Sequence, residues 1–298
     1  MKEAILKLKK EKNAVILSHH YQSLAIKEIS DYVGDSLEMS KIAAKLDCDM
    51  IVLCGVHFMA ESAKILAPDK KVLFPNADAG CPMADMVTKD RLEMLKEQHP
   101  DAVVVTYVNS SAEVKAISDI CCTSSNATKI VKSIESKEII VVPDQNLGHY
   151  VQTMCPEKTI HLWKGFCPTH HRVTKMDVLK VKAENSDAVL YAHPECRPEV
   201  LEMADFIGTT AQIIEACKIS EDAHIIIGTE KGVVDTLEKL LPHKRFTLMD
   251  THMICKNMKK TTLADVYEVL KHETGEIFVD ELVADAARSA IIKMMERS

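Results

Sequence analysis

The sequence predicts an α/β protein built from three αβα sandwich units, each with a small parallel sheet, related by a pseudo-threefold axis around a central cavity. Two observations predict it. Apolar segments begin at Ala14-Val15-Ile16-Leu17, Ala102-Val103-Val104-Val105 and Ala188-Val189-Leu190-Tyr191, spaced 88 and 86 residues apart. The same offsets hold without a gap over the following twenty residues: Ile29-Ser30-Asp31 falls on Ile117-Ser118-Asp119 and then on Met203-Ala204-Asp205. A period this long marks a repeated small domain rather than a solenoid. The second observation is that continuous apolar runs alternate with helical patterns, the signature of parallel strands covered on both faces.

Each unit reads alike. An amphipathic helix (about 2–11, 90–99 and 174–184) leads into the first strand. A short helix and a short extended piece follow, and Ser36, Ser124 or Thr210 opens another helix as a residue of capping type. A second buried strand comes next, at Met50–Leu53, Glu138–Val142 and His224–Ile227, and another helix follows it. A last strand closes the unit, at Lys71–Phe74, Thr159–Trp163 and Arg245–Met249. The units are expected at 1–84, 85–170 and 171–260, with a helical tail at 261–298 joining the first.

Composition narrows the function. The chain has 298 residues, is 47% apolar and carries a formal charge of −7 with both signs interspersed, so no basic stripe favours nucleic acid. The N-terminus lacks an apolar signal core, and no apolar run approaches the length of a membrane span, so a cytoplasmic protein is expected, with neither nucleic acid nor membrane as partner. Ten cysteines occur without a C-x-x-C pair, which argues against a zinc ribbon or a thioredoxin-type couple.

In an open parallel sheet, ligands sit beyond the carboxyl ends of the strands. After the first strand of each unit stand His19 and Tyr21, Tyr107 and Asn109, and His193 and Glu195, in register. All six side chains can hydrogen-bond or move protons, although polar residues often simply end strands. Ser36, Ser124 and Thr210 add three hydroxyls at expected helix starts, which suit a phosphate or carboxylates if they converge and serve as plain caps if they do not. The third set is Cys81, Cys167 and Cys255, one after the last strand of each unit and again spaced 86 and 88 residues apart. Three soft thiolates suit zinc or an iron–sulfur cluster. On a 4Fe–4S cluster three cysteines leave one iron open, a Lewis acid for a substrate oxygen or nitrogen. Zinc hydrolysis, an aconitase-like dehydration and electron transfer are competing readings, as are three ordinary core cysteines.

With these residues the chain resembles the quinolinate synthase family. The likeness rests on His19-His20-Tyr21-Gln22, Gly34-Asp35-Ser36, Tyr107-Val108-Asn109-Ser110, Thr123-Ser124-Ser125-Asn126, Asp144-Gln145-Asn146-Leu147-Gly148, His193-Pro194-Glu195-Cys196, Gly228-Thr229-Glu230 and the run from Cys255 to Leu263. The resemblance implies condensation of iminoaspartate with dihydroxyacetone phosphate to quinolinate, a step toward NAD, with a 4Fe–4S cluster on Cys81, Cys167 and Cys255. It also implies that Glu195, Tyr21, Tyr107, His19 and His193 move protons. Ser36, Ser124, Thr210 and Asn109 would hold phosphate and carboxylates, together with His170 or its neighbour His171. Iminoaspartate would come from another enzyme, through a possible transient contact.

Overall fold

The structure, a computed structural model, describes residues 1–298. Twelve strands form three separate four-stranded parallel sheets. The first holds β1 (Ala14–His19), β2 (Tyr32–Gly34), β3 (Met50–Cys54) and β4 (Lys71–Leu73) in the order β2-β1-β3-β4. The second holds β5 (Val103–Tyr107), β6 (Ile120–Cys122), β7 (Glu138–Val142) and β8 (Thr159–Leu162), ordered β6-β5-β7-β8. The third holds β9 (Val189–Ala192), β10 (Phe206–Ile207), β11 (His224–Gly228) and β12 (Arg245–Leu248), ordered β10-β9-β11-β12. The two inner strands of each sheet are the apolar runs read from the sequence, and β3 and β11 are buried throughout. In all three sheets the chain steps one way from the first strand to the second and the other way to the third. That reversal opens a crevice at the carboxyl ends of the two inner strands.

The repeated aspartate has a structural cause. Asp31, Asp119 and Asp205 each accept the backbone N–H of a first-strand residue, Ile16, Val104 and Leu190, at 2.8, 2.8 and 2.7 Å. Each thereby pins the short edge strand's entry to the strand beside it.

The helix starts differ from expectation in a useful way. Asp35, not Ser36, caps helix 36–43, and Thr209, not Thr210, caps helix 210–219, each in a reciprocal capping box with Glu38 or Gln212. In the second unit the helix begins only at Ala127, leaving Ser124 in the preceding turn. A cap is worth about 1 kcal/mol; because a neighbour supplies it, the hydroxyls of Ser36 and Thr210 are not committed to that bond.

The tail divides. Helix 263–272 packs on helix 2–11 of the first unit, while helix 281–296 packs on helix 112–116 and β6 of the second and on helix 57–66 of the first. Ala287, Ala290, Ile291 and Met294 are buried in a core that the first two units share. Between the two tail helices, Gly275 and Ile277 hydrogen-bond along the outer edge of β4, which covers that exposed edge. Gly275 has φ +71°, and a Cβ there would press on the Phe74 carbonyl at 2.6 Å, so only glycine fits without strain. No helix is long and apolar enough to cross a membrane.

Candidate active site and metal centre

The carboxyl ends of the three sheets face one cavity of about 350 Å³. Twelve of the thirteen side chains singled out in the sequence line it: His19, Tyr21, Ser36 and Cys81 from the first unit, Tyr107, Asn109, Ser124 and Cys167 from the second, and His193, Glu195, Thr210 and Cys255 from the third. The thirteenth, His170, is fully buried directly behind Glu195.

Glu195 is the centre of the polar wall. Tyr107 donates its hydroxyl to Glu195 Oε1 at 2.7 Å. His170 Nδ1 lies 2.8 Å from Oε2, and its Nε2 is 3.0 Å from the Thr229 hydroxyl. Tyr21, from the first unit, reaches Thr210 and Thr229 of the third at 2.9 Å each. The polar constellation is therefore assembled across unit boundaries, and no single repeat contains it.

Two histidines share one local device. The backbone N–H of Tyr21 donates to His19 Nδ1 at 3.1 Å, and that of Glu195 donates to His193 Nδ1 at 3.2 Å. A ring nitrogen that accepts from an amide carries no proton, so each neutral ring bears its proton on Nε2. Burial lowers His19 well below the usual histidine value and drives His193 down to about 3. Burial works to raise the Glu195 carboxyl, and His193, His170 and Tyr107 outweigh it, holding it below the ordinary carboxylate range. With His193 neutral, the hydrogen bonds from His170 and Tyr107 are what keep Glu195 anionic. Burial, and then the Glu195 charge, push both Tyr21 and Tyr107 well above the usual phenol value. The wall thus offers one carboxylate base and several groups that hold their protons at neutral pH.

A pH dependence follows from His193, whose value in the folded protein lies below the ordinary 6.5. Between these two values the unfolded chain binds more protons, so stability falls as the pH drops below about 6.5. One such proton contributes a slope of about 1.4 kcal/mol per pH unit. Chemical denaturation of metal-free protein between pH 7 and 4 measures the slope, and His193→Gln is expected to reduce it.

The three cysteine loops are held alike. In each unit the first N–H of the helix after the second inner strand donates to the carbonyl two residues before the cysteine: His57 to Ala79, Gln145 to Gly165 and Lys231 to Met253, at 2.9, 2.8 and 2.8 Å. In two units an acidic helix cap also grips the cysteine itself. Asp144 Oδ1 accepts from Asn146 and Leu147 while Oδ2 accepts the Cys167 N–H at 3.2 Å. Glu230 Oε2 accepts from Gly232 and Oε1 accepts the Cys255 N–H at 3.2 Å, with Lys259 paired at 3.0 Å. The first unit has Val56 at this place. Gly165 lies so close to the Pro143 carbonyl that a Cβ would collide with it, which is why the Cys167 loop begins on glycine.

Asp144→Asn and Glu230→Gln each keep the helix cap and give up the second acceptor. Either is expected to weaken retention of a bound metal centre about 10–100-fold, as loss of outer-shell support does, with the fold intact. Metal release to a chelator, followed by absorbance, reads it.

These residues suit the metal centre that the cysteine triplet suggests. Three soft donors, each half-buried, open from three loops onto one cavity. Burial pushes the Cys81 thiol up to about 12 and raises Cys167 and Cys255 as well. The thiols are therefore protonated until a metal displaces the protons. Asn109 Oδ1, buried at the cavity wall, has no hydrogen-bond partner; a ligand donor belongs there.

Of the two adjacent histidines, neither lines the cavity, and His170 is the one that touches the Glu195 carboxylate from behind. His171 stacks on Phe166 with ring centres 4.3 Å apart and meets Asn146 Nδ2 at 2.9 Å, the amide that also donates to the Glu195 backbone carbonyl. Lys218 pairs with Glu215 on the outer surface. Sequence reasoning missed the roles of Asp144, Thr229 and Glu230, and also Arg172 and Lys256, two cations on the cavity wall. The acids did leave a signal: Asp144 and Glu230 are 86 residues apart and each starts a helix. Of the cations, Lys256 lies in the run from Cys255 to Leu263 that carries the resemblance, and Arg172 left no signal.

Comparison with known proteins points to one family. The family model described as quinolinate synthetase A protein matches residues 3–296. A protein of Alkaliphilus metalliredigens named quinolinate synthase is 55% identical over 99% of this chain and 98% of its own length. One of the same name from Caldicellulosiruptor saccharolyticus is 52% identical over 100% of this chain and 98% of its own. A third, from a Sulfurihydrogenibium species, is 49% identical over 98% and 97%.

Proposed function

The chain belongs to the quinolinate synthetase A family, and from that premise we propose that it forms quinolinate from iminoaspartate and dihydroxyacetone phosphate. The condensation joins a three-carbon unit to the imine and releases phosphate and two waters, the work of a carbon–carbon bond-forming transferase. The observation that carries this reading is the hydrogen-bonded Tyr107–Glu195–His170 group in the same cavity as Cys81, Cys167 and Cys255.

A 4Fe–4S cluster held by those three cysteines supplies, when bound, an iron without a thiolate, a Lewis acid for a substrate oxygen or nitrogen. The side chains do the rest. Ser36, Ser124, Thr210 and Asn109 present hydroxyls and an amide to phosphate and carboxylates from three directions. Arg172 and Lys256 add positive charge at the rim. Glu195 takes the proton that must leave carbon or nitrogen as the ring forms, with His170 behind it to stabilise either state. Tyr21, Tyr107 and the Nε2 protons of His19 and His193 are donors to departing oxygens; loss of two waters needs more than one.

A cavity enclosed by three units also shields an imine that bulk water would hydrolyse. Supply by transient contact with the enzyme that makes iminoaspartate belongs to the same reading, as does a cytoplasmic setting, in which ten free cysteines stay reduced. The test is quinolinate formation by anaerobically reconstituted protein given dihydroxyacetone phosphate and iminoaspartate generated in situ. Iron-dependent product supports the proposal; iron-loaded protein that forms none overturns it.

A further inference from the structure

We propose that His99, Glu138 and His161 form a second metal site, for a late first-row divalent ion such as Zn²⁺ or Ni²⁺, at the opposite end of the second sheet from the cavity. Their candidate ligand atoms, two imidazole nitrogens and a carboxylate oxygen, all lie within 4.8 Å of one another. They come from three segments. His99 ends helix 89–98, Glu138 opens β7, and His161 lies on β8. Parallel pairing of Ile140 with His161 puts Glu138 and His161 on the same sheet face, two residues apart along the strands.

The geometry suits coordination better than mutual hydrogen bonding. His161 Nε2 stands 3.4 Å from Glu138 Oε2, a weak contact for a hydrogen bond. It is close to the edge of a tetrahedron whose metal–ligand bonds are about 2.0–2.1 Å. The His99 and His161 rings lie with centres 3.7 Å apart at 31°, and each brings a ring nitrogen within 4.8 Å of the other and of the Glu138 carboxylate. The side chains of His161 and Glu138 are 24% and 48% exposed, so an ion reaches them from solvent. Two imidazoles and one carboxylate are a donor set that zinc, nickel and iron accept, with remaining positions left to water.

The repeat supplies an internal control. The offset between the second and third units carries His99, Glu138 and His161 onto Asn185, His224 and Thr247. There the cluster is closed by its own hydrogen bonds: His224 meets Thr247 at 2.8 Å and Asp187 at 3.1 Å, and Arg245 bonds Asn185 at 3.0 Å. In the first unit the same places hold Glu11, Met50 and Leu73, of which Met50 and Leu73 are buried apolar residues. The fold therefore does not require ligand-type residues here, and only the second unit has three together. An ion at this point would tie helix 89–98 to β7 and to β8, the strand that runs on toward Cys167.

The site stands apart from the proposed reaction, so its test leaves that reaction untouched. Iron-loaded protein is stripped of loosely bound metal with a chelator and titrated anaerobically with Ni²⁺ in a calorimeter. One equivalent is expected to bind, and His161→Asn or His99→Asn is expected to weaken it about 100-fold or more, beyond the cost of losing an outer-shell partner. Iron content and quinolinate formation should be unchanged in both variants. In the unaltered protein, Ni²⁺ should protect His99 and His161 together from diethyl pyrocarbonate, with the exposed His149 labelled as before. Full-strength binding in both variants, no binding at all, or protection that spares these two rings would each overturn the assignment.

Discussion

Alanine at any one of Cys81, Cys167 and Cys255 should abolish the cluster and quinolinate formation together. Unaltered protein purified and reconstituted without oxygen is expected to hold about four irons and four sulfides with a brown absorbance. Each thiol comes from a different unit and opens onto the same cavity, so none of the other two can stand in for a missing partner. Burial raises all three thiols in the metal-free state. Cluster uptake therefore releases protons, and retention should weaken as pH falls. The control lies among the remaining cysteines. Cys54, Cys122 and Cys196 are fully buried in apolar surroundings and pushed far up by burial; alanine there should cost stability and leave iron in place. Iron loss on replacing one of these, or iron retained without Cys81, would mean that a different set holds the metal.

Glu195→Gln should leave the iron content intact and lower kcat by about 10²–10⁴-fold, the range for loss of a positioned general base. Glutamine matches the volume and still accepts the Tyr107 hydroxyl, so packing survives. Its amide nitrogen cannot accept from His170, however, and it takes no proton at neutral pH. Steady-state rates on iron-replete protein, with unchanged absorbance as the check on folding, separate this from a structural effect. Activity within a few-fold of the unaltered enzyme would remove Glu195 from the proton transfers.

Most of the candidate site was legible because the chain repeats. A single histidine at a strand end means little, but His19, Tyr107 and His193 recur at fixed offsets, as do the three cysteines. Equivalent positions in equivalent units must occupy equivalent places about the axis. Twelve of these side chains line the one cavity, with His170 just behind them. The helix caps were less legible, since Asp35-Ser36 and Thr209-Thr210 each offer two capping residues side by side, and backbone dihedrals decide between them. The grip of Asp144 and Glu230 on the cysteine N–H groups was not legible, because it joins residues more than twenty positions apart.

By itself, then, the sequence determined the strands, the three units and the residues each unit presents at its carboxyl edge. Those follow from continuous apolar runs at the strands, the 3.6-residue repeat of the helices and the offsets of 88 and 86 residues between units. Tertiary structure alone decided the pairings between units: Tyr21 with Thr210 and Thr229, Tyr107 and His170 with Glu195, and the tail split between the first unit and the second. Those contacts arise from burying apolar faces against one another, a force without direction. Only the complete packing of all three units selects which polar side chains meet.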